Sequence, residues 1–376
     1  MTKNATYIYG IIASGEALSF GPIGIGGRGD EVHTVPYRDL AGVVSNCRAV
    51  DYRTLKDREK IIRDLAAHQA VIEEVMQRFT ILPIKFGTTA QDRDGVEALL
   101  RQGYLTFTEA HAAMEDKVEM EVVATWDLPS VFQEISEEEP IAKLKAKIEG
   151  VSRLRSTPDR IKVGKMVYQS LNRRRESYQQ GLMSALAGCT LDLQKNSLMN
   201  DEMVMNVAFL LDGGCQEEFD RRLDEVDEKL GGRLSFRRIG PLPPYSFSTV
   251  EVRPMARQEV KRARATLGLG QEASLSEVKG AYYALAQEYH PDAQPGDSAA
   301  DLSAHPQAGE RFAQIAAAYQ LLSNYCLGQA AAQGITAKKK VEGHRCSFAP
   351  AAIKASVLIA VERMGGETLF QQDLKT

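Results

Sequence analysis

Apolar and polar positions change period several times along the chain, and each change marks an element. Residues Thr6 to Ile12, Thr-Tyr-Ile-Tyr-Gly-Ile-Ile, are aromatic and β-branched and stop before Ser14-Gly15, which predicts a first strand. Short strands are predicted at Val32–Val35 and Leu40–Ser45, the second apolar on both faces like a central strand. From Leu55 to Phe79 the spacing switches to three and four. Ile61, Leu65, Ile72, Val75 and Phe79 then line one side of an amphipathic helix, with Asp51 or Thr54 as its cap. Ile81–Phe86 returns to strand character, Pro83 marking an edge or a bulge. Asp94 to about Asp116 is helical again, and Val118–Thr125 opens with the Val, Glu, Met, Glu alternation of a half-buried strand. Elements in this order, with crossovers long enough for parallel neighbours, predict an α+β sandwich like the ferredoxin-like fold over residues 1–126.

A second α+β domain is predicted over residues 127–252. It opens at Trp126-Asp127-Leu128-Pro129 and carries an acidic run, Ser136–Glu139, followed by a helical tract rich in Lys and Arg that reaches Leu186. Met203–Leu211 reads as an apolar strand, Glu217–Leu230 as an amphipathic helix and Arg233–Ile239 as a strand. Gly213-Gly214 and Gly231-Gly232 punctuate them. The block Gly240-Pro241-Leu242-Pro243-Pro244-Tyr245-Ser246-Phe247 is stiff and poor in amide donors, so it predicts an extended edge or a docking strand. Past Arg253-Pro254 the chain becomes alanine-rich. Two helices, Leu275–Tyr289 and Glu310–Ser323, are joined by a polar loop from Asp292 to Gln307. The tail, residues 327–376, holds Lys338-Lys339-Lys340 and an apolar stretch of helical character, Ala349–Met364, and has no role legible in its pattern.

Composition narrows this picture without naming a function. A chain of 376 residues exceeds what one core organises, and 44% hydrophobic with 26% charged residues is the balance of a soluble globular protein. A formal net charge of −4 gives no global pull toward nucleic acid or a lipid membrane, and neither is expected as a partner. Five scattered cysteines without a CxxC pair suggest free thiols in a reducing cytosol rather than a disulfide framework or a zinc site. The first strand is too short for the apolar core of a signal peptide, and no run approaches the roughly 18 apolar residues of a membrane span. A cytoplasmic protein is expected.

Candidate chemistry is sparse. Gly24-Ile25-Gly26-Gly27-Arg28-Gly29 matches GxGxxG, but a dinucleotide site needs those glycines between a strand and a helix N-terminus, and the following Val-His-Thr-Val-Pro is strand-like. A surface loop fits better. His68 sits on the helical stripe one turn from Leu65 and Ile72, without a cluster of ligand spacing around it, and reads as a hydrogen-bonded core residue. Arg173-Arg174-Arg175 and Lys143, Lys145, Lys147 could meet phosphates or an acidic partner, but read as solvated helix faces. GxSxG, P-loop and HExxH are missing from the sequence. No catalytic residue, cofactor or metal is expected, and the protein is read as no enzyme.

Four blocks in order resemble the gas vesicle GvpL/GvpF family: Tyr7-Ile8-Tyr9-Gly10-Ile11; His68–Met76 followed by Ile81-Leu82-Pro83-Ile84-Lys85-Phe86-Gly87-Thr88; Asn206–Asp212; and Gly240–Phe247. They span roughly residues 5–250, with Leu242 where the family usually carries a tryptophan. The resemblance implies a modified ferredoxin-like N-terminal domain followed by an α+β domain. It makes Pro83, Phe86, Gly87, Gly240, Pro241, Pro243, Pro244 and Tyr245 structural motif residues. It also implies an accessory protein of gas vesicle assembly, associated with the vesicle, whose partners are the shell protein GvpA and other accessory proteins.

Residues 263–326 resemble the J-domain of DnaJ-type cochaperones through Ala-Arg-Ala-Thr-Leu-Gly-Leu, the helix ending Tyr-His-Pro-Asp, and Phe-Ala-Gln-Ile-Ala-Ala-Ala-Tyr-Gln-Leu-Leu-Ser-Asn. The resemblance implies an all-α helical hairpin whose His290, Pro291 and Asp292 engage a DnaK-type chaperone, and hence a cochaperone as the alternative function. The chain departs from that pattern where docking charge is usual: Gly280, Tyr283, Gln287 and Glu288 stand there, Lys279 is nearly alone, and Ala293–Ala308 is a long insert.

Overall fold

A computed structural model describes residues 4–25, 29–48, 52, 55–149, 153–289, 306–335 and 337–363. The chain divides into two compact units. One combines residues 1–115 with 248–376, and the other is residues 116–247.

The first unit begins with β1 (Asn4–Ile12), β2 (Ser19–Gly21), β3 (Val32–Tyr37), β4 (Leu40–Arg48), α1 (Arg58–Met76), β5 (Ile81–Pro83), β6 (Thr89–Ala90) and α2 (Arg93–Met114). The sheet order is β2-β3-β4-β1-β5, with β6 also paired to β1. Every pairing is antiparallel, so the parallel neighbours expected from crossover length are not formed. α1 starts later than its apolar spacing suggests. Asp57 caps it, accepting from the Lys60 amide at 3.0 Å, whereas Asp51 and Thr54 lie outside the described residues. Its buried face is Asp64, His68, Val71, Ile72 and Val75, while Leu65 is 48% exposed.

The second unit holds β7 (Lys117–Thr125), α3 (Leu128–Glu137), α4 (Glu139–Ile148), α5 (Arg153–Leu186), β8 (Asp192–Lys195), β9 (Met203–Asp212), α6 (Gln216–Leu230) and β10 (Ser235–Leu242). The antiparallel order β10-β7-β9-β8 interleaves two β-α-β units, the ferredoxin-like arrangement. It lies in residues 117–242, while the N-terminal sheet has the order β2-β3-β4-β1-β5. The boundary expected at residue 126 therefore moves to before β7, because β7 pairs along its full length with β9. α6 ends where Gly231, φ +57°, turns left-handed and closes the last carbonyls.

The chain then returns to the first unit through β11 (Thr249–Pro254), α7 (Arg257–Thr266), β12 (Glu272–Ser274), α8 (Leu275–Tyr289), α9 (Pro306–Ala332), α10 (Lys338–Gly343), β13 (Arg345–Ser347), α11 (Pro350–Lys354) and β14 (Val357–Glu362). A reciprocal capping box starts α8: the Glu277 amide donates to Ser274 Oγ at 3.2 Å and the Ser274 amide to Glu277 Oε2 at 2.7 Å. α9 runs past the expected Ser323 because Leu327 to Ala332 keeps an alanine-rich helical pattern.

The tail differs from its helical expectation. Within Ala349–Met364 the described residues form only a short helix, α11, and then β14, whose Val357-Leu358-Ile359-Ala360-Val361 run is strand-prone and pairs residue by residue with β11. β13 pairs with β12. The hairpin of α8 and α9 shares one core with Val341, Cys346, Phe348, Ile353 and Leu358 of the tail, and Leu105 of α2 packs against it. Residues 263–326 and the tail are thus built into the unit that holds the N-terminal sheet.

This integration predicts that Ile359→Ala on β14, a buried position, lowers the main urea transition of the first unit by about 2–4 kcal/mol, followed by far-ultraviolet circular dichroism. A tail merely appended to the fold would leave that transition in place.

Candidate functional site

The family blocks of the first unit converge on one buried cluster. β1 supplies Tyr7 and Tyr9, α1 supplies His68, and the segment after β5 supplies Phe86 and Gly87. Tyr7 Oη shares a 3.1 Å hydrogen bond with His68 Nδ1 and accepts from the Gly87 amide at 2.9 Å. Tyr9 Oη accepts from the Ile25 amide at 2.7 Å and shares a 2.8 Å hydrogen bond with Ser45 Oγ. The His68 ring stacks on Tyr9 and meets Phe86 edge-on, with centroids 5.7 and 5.6 Å apart. At the rim, buried Asp64 accepts from Tyr52 Oη at 2.8 Å and Lys60 Nζ at 2.6 Å.

Each motif residue here has a packing reason. Pro83 lies buried in β5 opposite Gly10, at a place where its missing donor costs the sheet little. Gly87 has φ +87°, and a side chain there would come within 2.9 Å of the Tyr52 ring. Burial lowers the His68 pKa to about 4 and pushes the Tyr7 hydroxyl well above its ordinary range. A neutral, buried histidine with Nδ1 engaged by a tyrosine is a packing node.

The GxGxxG segment joins two strands: β2 precedes it and β3 follows, so no helix N-terminus faces its glycines. Gly26, Gly27 and Arg28 lie outside the described residues. Arg174 and Arg175 are engaged within the second unit, whereas Lys143, Lys145 and Lys147 lie on an exposed helix face. Arg174 binds Glu134 and Glu138, and Arg175 donates to the Met203 carbonyl at 3.1 Å and to Asn172 Oδ1 at 2.9 Å. Lys143 pairs with Glu139, and Lys147 with Asp159.

The proline-rich block of the second unit is not a free docking strand. Gly240, at φ +137°, lies where a side chain would strike Met120 Sδ at 2.7 Å and the Glu119 carbonyl at 2.8 Å. Pro241 is exposed at the irregular end of β10, Leu242 and Tyr245 are half-buried, and Pro243, Pro244, Ser246 and Phe247 are buried. The segment turns on itself, with the Phe247 amide donating to the Pro244 carbonyl at 3.1 Å. Its anchor escaped the sequence reading. Glu119 of β7, 1% exposed, accepts from the Ser246 amide and bonds Ser246 Oγ, both at 2.7 Å. The alternation of Val118 to Glu121 predicts an outward Glu119, but Val118, Glu119 and Met120 are all buried.

On the helical hairpin, Tyr282 of α8 stacks on Tyr319 of α9 with centroids 4.4 Å apart. The exposed residues of α8 are Ser276, Glu277, Gly280, Tyr283, Ala284, Gln287 and Glu288, none of them basic. Lys279 faces Glu342 of α10 at 3.6 Å. His290, Pro291 and Asp292 lie outside the described residues.

Residues 5–249 match the family model described as gas vesicle synthesis protein GvpL/GvpF, which is more than half of the chain. The chain belongs to the GvpL/GvpF family. It is 27% identical over 246 residues to gas vesicle protein F of Streptomyces sp. (strain CB03234), covering 65% of this chain and 99% of that one. It is 25% identical over 255 residues to gas vesicle protein F1 of Halobacterium salinarum, covering 67% and 96%. The crystal structure of GvpF from Anabaena sp. PCC7120 shares the fold with a TM-score of 0.55 at 24% identity, over 65% of this chain and 98% of that one. Residues 265–326 match the DnaJ domain model. Within that region the chain is 44% identical over 59 residues to DnaJ homolog 1, mitochondrial, of Schizosaccharomyces pombe, which is 16% of this chain and 10% of that protein. The GvpL/GvpF blocks meet in the Tyr7–His68 cluster and at the Glu119 anchor. The DnaJ match takes in the last two residues of α7, then β12, α8 and α9 as far as Cys326.

The buried histidine makes a pH prediction. Its folded pKa, about 4, lies below the ordinary 6.5, so its contribution to stability is present above that value and is lost as pH falls toward 4. Urea unfolding followed from near neutral pH down to about pH 4 should lose on the order of 3 kcal/mol through this group, and His68→Gln should flatten that limb. An acid limb unchanged in His68→Gln would assign it to other groups.

Proposed function

We propose that this chain is a non-enzymatic gas vesicle accessory protein, cytoplasmic and associated with the vesicle, that binds the shell protein GvpA or other accessory proteins during assembly. The carrying observation is the family match over residues 5–249. The local architecture supports a holding role over catalysis, because the motif residues are spent on packing: Tyr7, His68, Phe86 and Gly87 in one core, Gly240 to Ser246 against Glu119. A shell subunit exposes apolar surface before it assembles, and such surface aggregates unless covered. The outer face of α1 offers a matching surface, with Ile62 66% and Leu65 48% exposed.

The test is shell-protein solubility. GvpA in modest excess should stay in the supernatant with this protein and pellet without it, and Ile62→Asp with Leu65→Asp should weaken the protection several-fold. Equal pelleting with and without the wild-type chain sinks the binding reading.

A second reading is favoured by the DnaJ-domain match. The α8–α9 hairpin recruits a DnaK-type chaperone to vesicle subunits through His290, Pro291 and Asp292. Basic charge on such a helix mainly sets association rate and specificity, and the exposed residues of α8 include no Lys or Arg. The expected result is slow, weakly salt-dependent stimulation of DnaK in single-turnover ATP hydrolysis, abolished by His290→Gln. No stimulation by the wild-type chain, or equal stimulation by both, removes this reading.

A further inference from the structure

The chain enters its second unit at Asp116 and leaves it at Phe247, and one buried side chain bonds the segment beside the exit. Glu119 stands on β7, opposite Leu242 of β10 and Leu210 of β9, three residues past the entry. Its carboxyl receives the Ser246 amide on Oε2 and meets Ser246 Oγ on Oε1, each at 2.7 Å. Ser246 is itself 2% exposed and Phe247 1%. A carboxylate so deeply placed is ordinarily matched by a cation. The charged group acting on this one is Glu121, of like sign and two positions along the same strand, and the other groups that bear on it are the hydroxyl and amide of Ser246.

We propose that Glu119 and Ser246 form a proton-controlled latch: the carboxylic acid holds the Pro243–Phe247 turn closed on β7, and ionisation of Glu119 loosens it. In the acid form the Ser246 amide still donates to Oε2 and the carboxyl proton can be shared with Ser246 Oγ on Oε1, so both carboxyl oxygens keep a partner without a buried charge. Loss of the proton leaves a charge among Leu242, Leu210 and Met120 with Glu121 nearby. Water reaches that charge only if the turn opens. Burial raises the Glu119 pKa to about 7 from the ordinary 4.5, despite the two bonds from Ser246 that lower it. A folded value above the unfolded one means that the latch is strongest below the ordinary carboxyl range and weakens as pH rises through 7.

The turn contains the proline-rich block, so the latch would set how firmly the segment leading out of the second unit is held. Native-state hydrogen exchange at the Ser246 amide, corrected for the intrinsic rate, reads the opening directly. With carboxyl values of 4.5 and about 7 in the open and closed forms, protection should fall about tenfold from about pH 6 to about pH 8. Glu119→Gln, whose amide can both accept from the Ser246 amide and donate to Oγ, should keep equal protection at both. The carboxyl carbon-13 resonance of Glu119 in the wild-type protein should titrate near 7, and its midpoint should fall in Glu121→Gln. A midpoint in the ordinary carboxyl range, protection independent of pH, or the same pH dependence in Glu119→Gln would overturn the latch. The resonance measurement decides even if Glu119→Gln fails to fold.

Discussion

The first unit depends on the pairing of β11 with β14. When the chain leaves the second unit at Phe247, β11 is the strand by which it rejoins the N-terminal sheet. On one side the Lys85 amide donates to the Val250 carbonyl at 2.9 Å, and Ile84 and Val250 form a parallel bridge. Without β14 the other side of β11 would present a row of unpaired backbone groups, the open edge that sheets otherwise pair or cover. β14 supplies the partners from Thr249 through Pro254. The loop so closed contains α7, α8 and α9, and their apolar faces are gathered over α2 as a consequence. Tyr325 and Gln329 of α9 fasten the same closure by donating to the Ser347 carbonyl at 2.6 and 2.9 Å.

That closure changes what a J-like hairpin can be. A helical pair tethered by flexible linkers presents all its outer faces, whereas here α9 gives one side to the core shared with α2 and the tail. The first turns of α8 are held as well. Ser276 Oγ donates to the Glu342 carbonyl at 3.0 Å, Lys279 faces the Glu342 carboxylate, and Arg345 lies beside Glu277 and Glu272. These ion pairs are at least a third exposed and individually weak, but they fix which side of α8 remains open. What remains has no basic residue, with Tyr283 half-exposed and Glu288 exposed. A face without basic residues offers no electrostatic steering toward an acidic surface.

Much of this was legible in the sequence where one local rule governed. α8 begins at the expected residue because a capping box opens it, and a strong apolar spacing carries it. The α+β class, the second-unit strand β9 and helix α6, and the packing role of His68 followed from period and context. The failures share a physical cause, which is pairing over long sequence separation. Whether β7 belongs with β1 or with β9 is decided by partners about 85 residues away, and nothing in Val118–Thr125 encodes that choice. The tail reads as apolar either way, and only the free edge of β11 makes it a strand. Arg174 and Arg175 look solvated until Glu134, Glu138 and the Met203 carbonyl come within reach.

Glu119 shows the same limit at the scale of one side chain. Alternation along a strand assigns polar residues to solvent only when one face of the sheet is open. β7 is central, between β9 and β10, and the Pro243–Phe247 turn folds over the position that alternation would leave wet. A leucine there would bury without cost but would leave the Ser246 amide and hydroxyl unpaired in a dry place, and an unmade buried hydrogen bond costs about 1–3 kcal/mol each. A lysine could satisfy neither donor. Only an acceptor with two oxygens, or an amide, completes both bonds. The residue that looks misplaced by pattern is therefore the one that the buried polar groups of the turn require. Its ability to hold a proton is a consequence of that requirement.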